Sequence, residues 1–236
     1  DNASKCFATA DYNRSEMIAA FPEDEATFCN KALIWNWKEN TFSLRSLPDL
    51  SDIAKDMAHS NDVTCKVLDL DQVESLGMGA FVGVAVGSSR RPKFIHLSYS
   101  GDKKNKENNV WLIGKAITFD TGGISLKPAS GMASMKGDMG GGAAVLSAFK
   151  TISELAPSIN VNAVCAATDN MPSGSAQKPG DVVNAMNGMS IEVDNTDAEG
   201  RLILVDAIHY ARQLDPAFII DIATLTGACV VALGKV

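Results

Sequence analysis

From Leu47 onward, apolar and polar positions alternate between helix-like and strand-like spacing. Leu50, Ile53, Ala54 and Met57 follow Pro48 at helical intervals and predict a short amphipathic helix. VTCKVLDL at 63–70 reads as a strand, and DQVESLGMG as a helical turn closed by glycines. FVGVAVGSS leads to PKFIHLSYS at 92–100, a second strand, and GDKKNKENN at 101–109 is a polar turn. VWLIGKA at 110–116 is apolar enough for a strand buried on both faces. A glycine-containing loop over 118–131 then precedes a predicted helix from about Met132 to Lys150. Gly140, Gly141 and Gly142 each lower helix propensity by roughly 1 kcal/mol. Their presence predicts that another backbone or a ligand comes close. NVNAVCAAT at 160–168 is a strand, and DNMPSGSAQKPGD at 169–181 an ordered loop or lid hinge. MSIEVDN at 189–195 is a strand, with Asp197 as predicted N-cap of a helix to about Leu214. PAFIIDIAT is a further strand, and LTGACVVALG opens a helix. This order predicts an α/β fold: a central mixed, largely parallel β-sheet flanked by helices on both faces. Residues 1–46 show no sustained period. Trp35 and Trp37 alternate like same-face strand residues and read as packing at a domain edge.

Composition narrows the function classes. The 236 residues are 46% hydrophobic and 21% charged, ordinary globular values. A net charge of −7 argues against nucleic-acid or anionic-membrane partners. No apolar run reaches the ~18 residues that span a bilayer. Cys6, Cys29, Cys65, Cys165 and Cys229 form no CxxC pair and read as free thiols in a reducing compartment. With no signal-peptide pattern in the first residues, a cytoplasmic location is expected, in which the sequons at Asn2 and Asn13 carry no meaning. His59, His96 and His209 read as packed residues rather than ligands.

Two charged stretches carry the candidate chemistry. NTDAEGRL at 195–202 holds Asp197, Glu199 and Arg201. GKAITFDTGGISLKPASGMASMKGDMGGG at 114–142 holds Lys115, Asp120, Lys127 and Asp138. All four acids fall near the ends of predicted elements, where open α/β sheets bind ligands. Four carboxylates in one pocket repel, and two divalent cations would balance them. Helix capping is the competing reading for Asp197 and Glu199, a turn for Asp138, and an edge-strand charge for Lys115. Spacing alone leaves these alternatives open.

GKAITFDTGGISLKP, MKGDMGGGAAV and NTDAEGRL, with MPSGSAQKPGDVV and DIATLTGA, resemble the signature segments of the leucyl aminopeptidase family, cytosolic two-metal exopeptidases. The likeness runs from about Leu47 to Val236 and is strongest over 110–228. It implies a divergent N-terminal segment at 1–46 and a catalytic domain at 47–236, incomplete at its C-terminus because family members continue beyond ALGKV. It also implies that Asp120 and Glu199 bridge two metals, Lys115 and Asp138 complete one site, and Asp197 completes the other. The metals would be zinc, with manganese, magnesium or cobalt at the exchangeable site. Lys127 would stabilise the oxyanion as a water between the metals attacks. Arg201 would hold a bicarbonate general base, since an arginine serves as an anion clamp rather than a base. A lysine ligand must be neutral, which costs roughly 4–5 kcal/mol at pH 7. Met135, Asn195, Thr224, Leu225 and Gly227 would line the substrate cleft. The implied function is release of N-terminal residues, leucine or other apolar ones, from peptides by a homo-oligomer, a hexamer in the family. A catalytically inactive protein that kept the fold is the principal rival. A two-metal phosphatase or nuclease fits the acidic charge poorly.

Overall fold

The computed structural model describes residues 47–58 and 62–234. The readings made for 1–46 and for His59 lie outside them. Helix α1 (Leu47–Met57) leads to β1 (Val63–Leu68), then α2 (Leu70–Ser75) and α3 (Gly79–Ala85). Strands β2 (Lys93–Ser100) and β3 (Asn109–Asp120) follow. A 3-10 turn (Met132–Gly137) precedes α4 (Gly140–Leu155) and β4 (Asn160–Asn170). The hairpin of β5 (Asp181–Asn184) and β6 (Ser190–Val193) runs into a second 3-10 turn (Thr196–Ala198) and α5 (Glu199–Arg212). Strand β7 (Phe218–Ile222) and α6 (Ala228–Leu233) complete the described chain.

The main sheet has the order β1-β2-β4-β3-β7. Its pairings divide evenly: β1 with β2 and β2 with β4 are antiparallel, β4 with β3 and β3 with β7 parallel. The sheet is therefore mixed, and the expected parallel character belongs to its β4, β3, β7 half. That half is joined through helices α4 and α5, the crossovers that parallel strands require. Among the described strands β5 and β6 pair only with each other, so the strand predicted at 189–195 lies outside the central sheet.

Strand alternation divides the core into two apolar clusters. Phe94, Trp111, Ile113, Ile117, Val164 and Ala166 pack with Phe81 and Val84 of α3 and with Leu202, Ile203 and Ala207 of α5. The intervening positions Ile95, Leu97, Leu112, Ala116, Ala163 and Cys165 pack with Leu50 and Ala54 of α1 and with Leu146 and Phe149 of α4. A period of two sends successive side chains to opposite faces, so each β residue's parity decides which helices it meets.

Two local expectations need correction. The helix predicted from Met132 to Lys150 is broken at Asp138 and Met139, where the 3-10 turn ends and α4 begins. The break lets the Asp138 side chain leave the helix path and reach Lys115 and Thr224. Asp197 is not an N-cap. Asn195 caps the 3-10 turn by accepting from the Asp197 N–H at 2.8 Å, and Ala198 stands at the N-cap of α5. That leaves the Asp197 carboxylate available for the site.

Candidate metal centre

The parallel strands bring their carboxyl ends to one edge of the sheet. β3 reaches further than predicted, to Asp120, with a register shift between Ile117 and Asp120 that sets Asp120 opposite Asn170. Lys115, on the same strand, lies beneath the start of α5. It can do so because position 200 is glycine: a Cβ there would stand 2.9 Å from both Lys115 Cε and Nζ. Gly141 and Gly142 serve the opposite face. A Cβ on Gly141 would come within 2.0 Å of the Ile222 carbonyl oxygen, and one on Gly142 within 2.8 Å of Ala116 Cβ. Two of the three glycines, Gly141 and Gly142, thus mark a close approach, that of α4 to β3 and β7.

The loop after β3 folds back over the site. Gly122 and Gly123 take φ of +88° and +68°, and the Lys127 N–H donates to the Thr121 carbonyl at 2.9 Å. Thr196, fully buried, staples this loop to the turn before α5. Its hydroxyl donates to the Gly122 carbonyl at 2.6 Å and accepts from the Ser125 N–H at 2.8 Å.

Seven predicted site residues converge. Lys115 Nζ lies 2.8 Å from Asp138 Oδ2, 2.8 Å from Glu199 Oε1 and 3.0 Å from the Thr224 carbonyl. Lys127 Nζ lies 2.8 Å from Asp120 Oδ2 and also contacts Asp197 Oδ1. Thr224 Oγ1 donates to Asp138 Oδ1 at 2.7 Å. Each lysine therefore sits between two acids. One carboxylate oxygen from each of Asp120, Asp197 and Glu199 lies within 4.8 Å of the others. Asp120, Asp138, Glu199 and Lys115 are all buried.

Four carboxylates outnumber two ammonium groups here, and the protonation equilibria register the excess. Burial pushes the Glu199 carboxyl up to about 7, against the pull of Lys115 and with added repulsion from Asp120 and Asp138. Burial likewise raises Asp138, although Lys115 and Thr224 oppose it. For both lysines burial favours the neutral form, but the acids outweigh it. Glu199 and Asp138 hold Lys115 above the ordinary lysine range, and Asp120 and Asp197 do the same for Lys127. Among the described residues, Glu199 Oε2 is buried without a hydrogen-bond partner. Asp138 Oδ2 and Asp197 Oδ1 have only the lysine ion pairs just described. An unpartnered buried carboxylate oxygen is costly, and coordination to a cation would satisfy it. These oxygens are donors of the kind that divalent metal ions accept, whereas Lys115, held here as an ammonium, could join them only after losing its proton.

The remaining predicted residues stand differently. Arg201, on the first turn of α5, is exposed and makes no ion pair among the described residues. Leu225 is 44% exposed, and its Cδ1 lies 3.1 Å from where a Gly200 Cβ would be. Met135 is half-buried in the 3-10 turn, its carbonyl accepting from the Asp138 N–H at 3.3 Å. Gly227 is exposed, with open space beside it. His96 is half-buried between Tyr210 and Asn162, each 3.1 Å away, and His209 contacts Gln213, so neither joins the acidic group. Sequence reading did not single out Asn170 and Thr196, which bind the site's segments together. Their positions, at a strand end and beside Asp197, were the only signals available.

Comparison with known proteins shows the family of the sequence. The sequence profile of the cytosol aminopeptidase family, catalytic domain, matches residues 42–236. A protein named probable cytosol aminopeptidase from Alkaliphilus oremlandii is 51% identical over 187 residues, covering 79% of this chain and 37% of that protein. Its namesake from Methylibium petroleiphilum is 56% identical over 181 residues, with 77% and 37% covered. Another from Variovorax paradoxus is 50% identical over 217 residues, with 92% and 42% covered. The chain spans about two fifths of the length of these curated relatives. With its profile matched from residue 42 to 236 and half or more of the aligned positions identical in each relative, the chain belongs to the cytosol aminopeptidase family.

Proposed function

We propose that this chain provides the metal centre of an aminopeptidase that releases N-terminal residues, leucine or other apolar ones, from peptides. The observation that carries the reading is the convergence of Asp120, Asp197 and Glu199 oxygens within 4.8 Å, flanked by Lys115 and Lys127. Asp120 and Glu199 would be shared between two divalent ions, Lys115 and Asp138 would complete one site, and Asp197 the other. Bound there, zinc, or manganese, magnesium or cobalt at the exchangeable site, would polarise the scissile carbonyl and acidify a water. Lys115 would serve as a neutral ligand, so loading must displace its proton.

Lys127 has a different part. Its acid neighbours keep it protonated, and it is less buried than Lys115. It would donate to the carbonyl oxygen as negative charge develops. Arg201 presents a guanidinium fork, unpaired among the described residues and suited to a planar anion, and bicarbonate held there would accept the proton from the attacking water. Met135, Asn195, Thr224, Leu225 and Gly227 would border the substrate. In this reading residues 47–236 belong to the catalytic domain, 1–46 are a divergent N-terminal segment, and the protein works in the cytoplasm as a homo-oligomer, a hexamer. No helix among the described residues is long and apolar enough to cross a membrane.

Hydrolysis of leucine amide by the intact protein with added Mn²⁺ or Zn²⁺ tests the proposal. Turnover should vanish with a chelator and in Asp120→Ala. A metal-loaded protein without turnover would favour a catalytically retired member of the family.

A further inference from the structure

We infer that Asn170 is a positioning residue of the metal centre, its amide fixing which oxygen of Asp120 faces the site. The inference rests on the metal reading above. Asn170 is the last residue of β4, and the parallel register sets it beside Asp120 at the end of β3. Its Nδ2 donates to Asp120 Oδ1 at 2.8 Å and to the Thr196 carbonyl at 3.1 Å. The Gly122 N–H donates to the same Oδ1 at 2.9 Å.

Two donors on Oδ1 lock the carboxylate's rotation, because turning it breaks both bonds. Oδ2 is then the oxygen left toward the Lys127 ammonium, 2.8 Å away. The second arm of the amide acts on the other half of the site. By holding the Thr196 carbonyl it fixes the turn that presents Asp197 and Glu199. One side chain, 3% exposed, thus joins the two segments whose acids converge. Serving both atoms takes two donor hydrogens, since both are acceptors, and a hydroxyl has only one. Aspartate has the same size and would place a third acceptor against them.

The test is Mn²⁺ affinity of the intact protein by chelator competition, together with thermal melting. Asn170→Ala and Asn170→Asp should weaken metal binding by about 10–100-fold, the usual effect of losing a group that orients a ligand. Asp206→Ala, which removes a buried hydrogen-bonding carboxylate away from the acidic group, should lower the melting temperature and leave metal affinity within twofold of wild type. If Asn170→Ala does not fold, Asn170→Asp and Asn170→Ser carry the comparison. Affinity within twofold of wild type in the folded Asn170 variants would overturn the inference while leaving the metal reading intact. An equal loss in Asp206→Ala would also overturn it, by showing that general loosening is enough. Wild-type protein that takes up no metal would sink both.

Discussion

Adding one methyl group to neighbouring glycines of the same helix should change stability in opposite directions. In Gly141→Ala the new Cβ would lie 2.0 Å from the Ile222 carbonyl oxygen and 3.0 Å from the Lys115 backbone nitrogen. Ordinary contact needs about 3.4 Å or more, so α4 and β7 must separate by more than an ångström. Neither atom belongs to a side chain that can swing away. Overpacking of this kind costs typically about 1–3 kcal/mol, occasionally more. Replacing glycine with alanine in a helix returns up to about 1 kcal/mol. A contact as short as 2.0 Å puts the cost at the upper end of that range, about 3 kcal/mol, so the net loss for Gly141→Ala should be about 2 kcal/mol. In Gly140→Ala the nearest atom is Thr224 Cγ2, at 3.4 Å, which is normal contact. Here the propensity gain survives, reduced because Gly140 is the first residue of the helix, and the change should lie between zero and about 1 kcal/mol stabilising. Urea unfolding of the two variants and wild type, compared by midpoint at constant slope, reads both values. Gly141→Ala as stable as wild type would refute the close approach of α4 to β7.

Three further outcomes follow from the described contacts. Asp206 is fully buried and accepts N–H bonds from Phe81 and Met186 at 2.8 Å each, tying α3 and the β5–β6 turn to α5. Asp206→Ala strands these donors and should destabilise the protein by about 3 kcal/mol, with Asp206→Asn milder, measured by the same unfolding assay. Because burial raises Glu199 to about 7 in the folded state, the neutral acid is favoured there. Its contribution to stability is present below the unfolded value near 4.3 and is lost as pH rises through about 7. Melting of the chelated protein should fall over that window, and Glu199→Gln should flatten the fall. Lys127→Ala should lower kcat by about 10²–10³ while the protein still takes up metal, measured by steady-state kinetics beside metal analysis.

Much of the frame is legible in the apolar pattern. Leu50, Ala54 and their partners keep helical spacing, and β1, β2, β3 and β4 each keep strand-like runs, so these elements lie where the sequence places them. Helix α3 escapes such reading because Gly79 and Gly83 weaken its helical signal. Both are small for tertiary reasons: a Cβ on Gly79 would meet the Asn184 carbonyl at 2.2 Å, and one on Gly83 would meet Gln177 and Val183 at 2.9 Å. Sheet order and strand direction depend on contacts distant in sequence, which is why β2 between β1 and β4 reads only in the structure. The break at Asp138 is invisible to periodicity because its cause, Lys115, lies 23 residues away. The acids stand out as charges in short motifs, but spacing alone does not separate capping from metal binding. The structure weakens the capping reading for Asp197 by giving that role to Asn195. It also supplies a partial answer to the acids' repulsion that charge counting missed, since Lys115 and Lys127 each lie between a pair of them.

Metal stoichiometry measures the central claim most directly. The intact protein is stripped with a chelator, dialysed against Zn²⁺ or Mn²⁺, and analysed for metal beside Asp120→Ala and Glu199→Ala. The account predicts two ions per wild-type chain, with loss of at least one in each variant. Wild-type protein holding none, or variants holding as much as wild type, would contradict it.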